Sequence, residues 1–141
     1  MIAAAIVQLT DLGVVMFSHI MLGANDVEKS KVFYDAILAT IGFSEGVMDP
    51  QGRCFYLSDG CIFALSKPID GQPAGPGNGS TIGFDVTSVE MGNAWHAAGL
   101  ANGGTDCEDA PGVRGSDKDG MYLAYLRDPS GNKLCALYRM G

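Results

Sequence analysis

The chain has 141 residues, 47% of them hydrophobic and 18% charged, and a formal net charge of −7. That length suits one domain, and the composition is too apolar for a disordered chain. The acidic balance, with a pI near 4.5, argues against a surface that tracks nucleic-acid phosphates or docks on anionic lipid, so neither nucleic acid nor membrane is expected as a partner.

Residues 1–15 (MIAAAIVQLTDLGVV) hold an apolar run with no Lys or Arg before it and Asp11 inside it. They fit neither a secretion signal nor a bilayer span and read as an extension ahead of a domain over 16–141. A strand is predicted over Val15–Gly23. Asn25 and Glu28 then stand at capping-box spacing, and Val27, Tyr34, Ile37, Leu38 and Ile41 recur at helical spacing. A helix with one buried stripe follows, ended by Gly42. Strands are predicted at Phe43–Met48, Arg53–Leu57 and Cys61–Ser66, with turns at Asp49-Pro50-Gln51-Gly52 and Asp59-Gly60. The Gly/Pro-rich stretch 71–79 reads as a linker. A second series follows it: a strand over Thr81–Val86, then a helix opened by Thr87 and Glu90 and closed by Gly103–Gly104. Three more strands come after, at Thr105–Glu108, Met121–Arg127 and Lys133–Tyr138. A loop, Asp109–Gly120, and a turn at Asp128-Pro129-Ser130-Gly131 separate them.

The two series are one unit written twice. Ser18, Ile20, Val27, Glu28, Ala36, Leu38 and Gly42 meet Ser80, Ile82, Val89, Glu90, Ala98, Leu100 and Gly104 at an offset of 62, and Ala64 and Leu65 meet Ala136 and Leu137 at 72. The expected fold is α+β: two βαβββ modules, 16–70 and 80–139, related by pseudo-twofold symmetry. Their sheets would curl around a trough, the default place for a ligand. The four cysteines, Cys54, Cys61, Cys107 and Cys135, form no C-x-x-C pair and lie at no finger spacing from His19 or His96. A structural zinc site is therefore not expected, and reduced thiols in a cytoplasm are the simplest reading.

His19-Ile20-Met21-Leu22-Gly23, Asn25 to Ser30, Phe33-Tyr34 and Asp128-Pro129-Ser130-Gly131-Asn132 resemble the vicinal oxygen chelate superfamily. That group includes glyoxalase I, bleomycin-resistance proteins, fosfomycin-resistance transferases and extradiol dioxygenases. Ala110-Pro111-Gly112-Val113-Arg114 resembles a loop of an uncharacterised glyoxalase-like branch. The resemblance implies paired modules and, in most members, a divalent metal held by the first and last strand of each module. Carried onto this chain those positions are His19, Phe63, Thr81 and Cys135. Most members place His or Glu there. Phe63 cannot ligate, Thr81 is a poor ligand, and a catalytic ion wants about three N or O donors. His19 and Cys135 remain as candidate metal ligands, so a weakly held divalent metal has room but no tightly held one is expected.

The resemblance implies a glyoxalase/bleomycin-resistance-like protein binding a small molecule in the trough. The alternative is a metal-dependent lyase or a thiol transferase using His19 and Cys135. Trough residues expected to touch a ligand are His19, Met21, Phe63, Thr81, Arg114, Tyr122 and Cys135. Several have a second reading. His19 is a remnant ligand or base, or a histidine satisfied by neighbours. Cys135 is a reactive thiol or a small apolar residue. Arg114 clamps a carboxylate or is solvated, and Tyr122 offers its phenol to the trough or fills the core. Folds of this type commonly pair through sheet edges, so a homodimer is expected.

Overall fold

The computed structural model describes residues 16–141; the extension 1–15 and the Val15 start of the first predicted strand lie outside the described residues. Module one runs β1 (His19–Gly23), α1 (Val27–Ala39), β2 (Val47–Met48), β3 (Cys54–Ser58), β4 (Cys61–Ser66). Module two runs β5 (Ile82–Asp85), α2 (Val89–Ala101), β6 (Thr105–Asp106), β7 (Gly112–Arg114), β8 (Met121–Arg127), β9 (Lys133–Arg139). The sheet orders β1-β4-β3-β2 and β5-β9-β8-β6 are the same, with β1 parallel to β4 and β5 parallel to β9. The duplicated α+β architecture expected from the repeat is therefore present. One strand is additional: β7, inside the segment read as a loop, pairs with β8 and makes the second sheet five-stranded. Three residues are too few to carry a periodic signal.

α1 and α2 pack on each other and on the sheets. Phe33, Tyr34, Ile37 and Leu38 of α1 and Trp95 of α2 share one core with Phe63, Leu65, Tyr122, Leu126 and Leu134. Phe63 stands 4.9 Å from Tyr34 and 5.6 Å from Phe84, which lies 6.3 Å from Trp95, so an aromatic chain crosses the module junction. No helix among the described residues is long and apolar enough to cross a membrane.

The helix caps sit one residue later than the capping-box reading placed them. Asp26 accepts from Lys29 N–H and Ser88 from Met91 N–H. Glu28 and Glu90 instead occupy the first turn, where they favour the positive end of the helix dipole. Asn25 is freed for tertiary work. Its side-chain oxygen accepts from Ala74 N–H at 2.7 Å and its own N–H donates to Ser130 Oγ at 3.0 Å.

That contact belongs to the turn between β8 and β9, which fastens module two to module one. Asp128, 4% exposed, accepts from the Tyr34 hydroxyl at 2.6 Å, from Ser130 and Asn132 N–H at 2.9 Å, and from Asn132 Nδ2 at 2.9 Å. Asn132 Nδ2 also donates to the Gly23 carbonyl at 2.9 Å. Burial beside this carboxylate holds the Tyr34 phenol well above its ordinary pKa, so it remains a donor.

A second carboxylate anchors the chain after α1. Asp35 accepts from Gly46 N–H at 2.8 Å, Tyr56 hydroxyl at 2.7 Å and Lys31 Nζ at 2.7 Å. Partial burial pushes its pKa up, but the three donors outweigh that and hold it below the ordinary 3.8. A depressed carboxylate stabilises the fold above its unfolded pKa, and that contribution is lost as pH falls through the folded value. Asp35→Asn is therefore expected to be less stable than the parent at pH 6, with the gap closing below about pH 4. Urea titrations at several pH values check this; a gap unchanged down to pH 2 would contradict it.

Candidate functional site

Strand alternation gives each sheet two faces. In module one, Ile20, Leu22, Tyr56, Phe63 and Leu65 turn toward the helices, while His19, Met21, Phe55, Ile62, Ala64 and Ser66 turn to the opposite, open face. In module two, Ile82, Phe84, Tyr122, Ala124, Leu126, Leu134 and Ala136 face the helices. Gly83, Arg114, Met121, Leu123, Tyr125, Arg127, Lys133, Cys135, Leu137 and Arg139 share the open face.

Two expected trough residues are thus on the other side. Phe63 packs against Tyr34 and Tyr56. Tyr122 is fully buried and its hydroxyl donates to Asn93 Oδ1 of α2 at 2.8 Å. The ladders explain the Phe63 placement. Ile20 pairs with Phe63 and its repeat mate Ile82 pairs with Leu134, so the last strands correspond at an offset of 71, not 72. Ala64 is then the counterpart of Cys135; both are on the open face, across from Met21 and Gly83. In module two the open-face tyrosine is Tyr125, directly opposite Cys135 in the ladder.

His19 is exposed, with Nδ1 2.8 Å from Ser18 Oγ. Met21 is 44% exposed on the same face. Thr81 is exposed just before β5. Cys135 is 6% exposed. Burial pushes its thiol up, an effect partly offset by Tyr125, Lys133 and Arg114, so it stays protonated at neutral pH. Arg114 folds back over its own loop, donating to Gly112 O at 2.6 Å and Ala110 O at 3.0 Å. His96 lies on α2 with Nε2 2.8 Å from Asp106 Oδ1, away from the open face.

The corresponding positions across the two modules therefore hold an imidazole, a methyl group, a hydroxyl and a protonated thiol, at His19, Ala64, Thr81 and Cys135. That set does not fit a divalent cation, which needs about three imidazole, carboxylate or thiolate donors. Among the described residues no three His, Cys, Asp or Glu side chains converge as a metal site. The largest space near these strands is at their ends, and none of His19, Ala64, Thr81 and Cys135 lines it. A concavity of about 930 Å³ lies over the ends of β1 and β4 and the start of α1, lined by Met21, Gly23, Asp26, Glu28, Met48 and Arg53 among others. A smaller cleft of about 170 Å³, lined by Ile20, Leu38, Phe43, Phe63, Ile82 and Phe84, sits at the module junction.

Comparison with solved structures finds a glyoxalase/bleomycin resistance protein from Albidiferax ferrireducens T118, 56% identical, with TM-score 0.83, covering 89% of this chain and 100% of that one. A glyoxalase/bleomycin resistance protein/dioxygenase family enzyme from Burkholderia phytofirmans PsJN, 18% identical, matches with TM-score 0.66 over 86% of this chain and 96% of its own. A glyoxalase-related enzyme from Fulvimarina pelagi, 18% identical, matches with TM-score 0.63 over 89% of this chain and 88% of its own. A scan of protein-family models and a search of curated proteins found no match.

Proposed function

The chain belongs to the glyoxalase/bleomycin resistance protein family, and from that membership we propose that it binds a small molecule on its open face without a resident catalytic metal. Two separate observations carry this: a roomy concavity at the ends of β1 and β4, and a donor-poor set at the family's chelating positions. The family's chelating positions here are His19, Ala64, Thr81 and Cys135. The concavity itself offers apolar area at Met21, Met48 and Ile69 and charge of both signs at Asp26, Glu28 and Lys67, while its Arg53 is ion-paired with Asp49. Pockets of a few hundred cubic ångströms, mostly apolar with a few polar groups, are the usual form of a small-molecule site. A thiolate route through Cys135 is disfavoured because burial keeps the thiol protonated.

Two measurements test this reading. Protein incubated with nickel, zinc, manganese or iron(II) and then desalted is expected to retain well under one equivalent of metal; near-stoichiometric retention would refute the metal-free reading. Titration with a panel of small apolar and aromatic compounds is expected to shift the backbone amide signals of Met21, Gly23 and Ser66. A panel that moves none of them would count against ligand binding at this face.

A further inference from the structure

The second sheet carries a feature that the small-molecule reading does not use. A cavity of about 430 Å³ opens where the linker runs into β5, with Gly77, Gly79, Ser80 and Thr81 on one wall and Arg127 and Lys133 on the other. Arg127 ends β8 and Lys133 begins β9, and the two are direct cross-strand partners. Like charges placed opposite each other in an antiparallel pair are destabilising. Lys133 is partly relieved by an ion pair with Glu108 and lies 5.1 Å from the Tyr125 ring centroid. Arg127 gives one N–H to Gly131 O at 2.8 Å. Among the described residues no carboxylate pairs with it.

The arrangement extends along the same face. Arg114 and Arg139 share it with Arg127 and Lys133, and Asp85 is the one carboxylate that the strands place on it, so four of the nine Lys and Arg residues in a chain of net charge −7 lie on one side of one sheet. Opposite the cations, Gly77 and Gly79 adopt φ of 59° and 98°. The loop therefore turns tightly, and at Gly79 a Cβ would meet open space. Ser80 directs both its N–H and its hydroxyl to Gly77 O, which fixes the wall.

We propose that Arg127, Lys133 and the loop 77–81 bind an oxyanion group, a carboxylate or a phosphate. A bound anion would neutralise the opposed Arg127 and Lys133, and a guanidinium matches either group with two parallel hydrogen bonds. The anion site does not depend on the small-molecule reading.

The test uses the full chain, with inorganic phosphate and acetate as separate arms, each titrated at constant ionic strength against chloride while backbone amide NMR shifts are followed. Saturable shifts at Gly77, Gly79 and Thr81 are expected. Saturation by phosphate alone assigns the site to phosphate groups, and saturation by acetate admits carboxylates. Loss of one charge-assisted contact should weaken binding by ~10-fold or more in Arg127→Gln, and similarly in Lys133→Gln. Lys118→Gln, outside the cavity, should bind like the parent. Shifts that stay linear and match chloride, or unchanged affinity in both cavity variants, would overturn the proposal. The amides read here are not those of Met21, Gly23 and Ser66, so either result can fail while the other stands.

Discussion

Asp128→Ala is expected to lower the stability of the fold by about 3–5 kcal/mol, because it removes the acceptor from a buried set of donors without removing the donors. Four hydrogen bonds end on this one carboxylate, from the Tyr34 hydroxyl, two backbone N–H groups and the Asn132 amide. The Tyr34 hydroxyl and the Asn132 groups cannot reach water easily, since Tyr34 is fully buried and Asn132 is 6% exposed. The loss also loosens Asn132 from Gly23 O and Ser130 from Asn25, so the modules lose their link at the end of β1. For a chain of this size the melting midpoint should fall by about 10 °C or more. Trp95, the only tryptophan and fully buried, gives a fluorescence readout of global unfolding. Tyr34→Phe removes a single donor to a charged acceptor and should cost about half as much or less. The two changes should be non-additive, since they share one bond. An Asp128→Ala midpoint within about 3 °C of the parent would contradict the lock.

This lock shows where sequence reading succeeded and where it stopped. Asp128-Pro129-Ser130-Gly131-Asn132 and Phe33-Tyr34 were visible as motifs, yet their partnership spans 94 residues, and no local pattern connects them. Helices and module order were legible because apolar spacing and helix-ending glycines repeat locally. Register was not. The matched pairs Ala64–Ala136 and Leu65–Leu137 suggested an offset that the hydrogen-bond ladders place one residue away. In a strand a slip of one residue moves a side chain to the opposite face. That slip put Phe63 in the trough. Tyr122 and Tyr125 posed the related problem that one strand offers a tyrosine to each face, and the strand alone does not say which face the helix covers. The cavity at Arg127 and Lys133 is not legible in the sequence, although both residues flank the Asp128–Gly131 turn. The turn residues encode the backbone shape locally, while the role of the flanking cations depends on the linker folding over them.

Gly92→Ala is the second substitution with a large expected effect, and here two tendencies oppose each other. Gly92 lies inside α2, where helix propensity alone favours Ala by about 1 kcal/mol. Packing opposes it. A Cβ at this position would stand 2.6 Å from Tyr122 Cζ, nearer still to Cε1, and 2.9 Å from Cδ1. The ring cannot withdraw cheaply, since Tyr122 is fully buried and its hydroxyl is held by Asn93 one residue along the same helix. Either α2 lifts from β8 or the ring leaves its rotamer, and overpacking of that kind costs about 1–3 kcal/mol or more. The steric term wins, and a net loss of about 2 kcal/mol is expected by urea unfolding. Trimming the obstacle should recover part of it, so Gly92→Ala combined with Tyr122→Leu should lose less than the sum of the two single changes. Gly83→Ala provides the contrast, since a Cβ there meets nothing within 4 Å on the open face. A stabilised Gly92→Ala variant would mean that α2 can rise from the sheet freely. The contact between α2 and β8 would then not set how closely the second helix approaches its sheet.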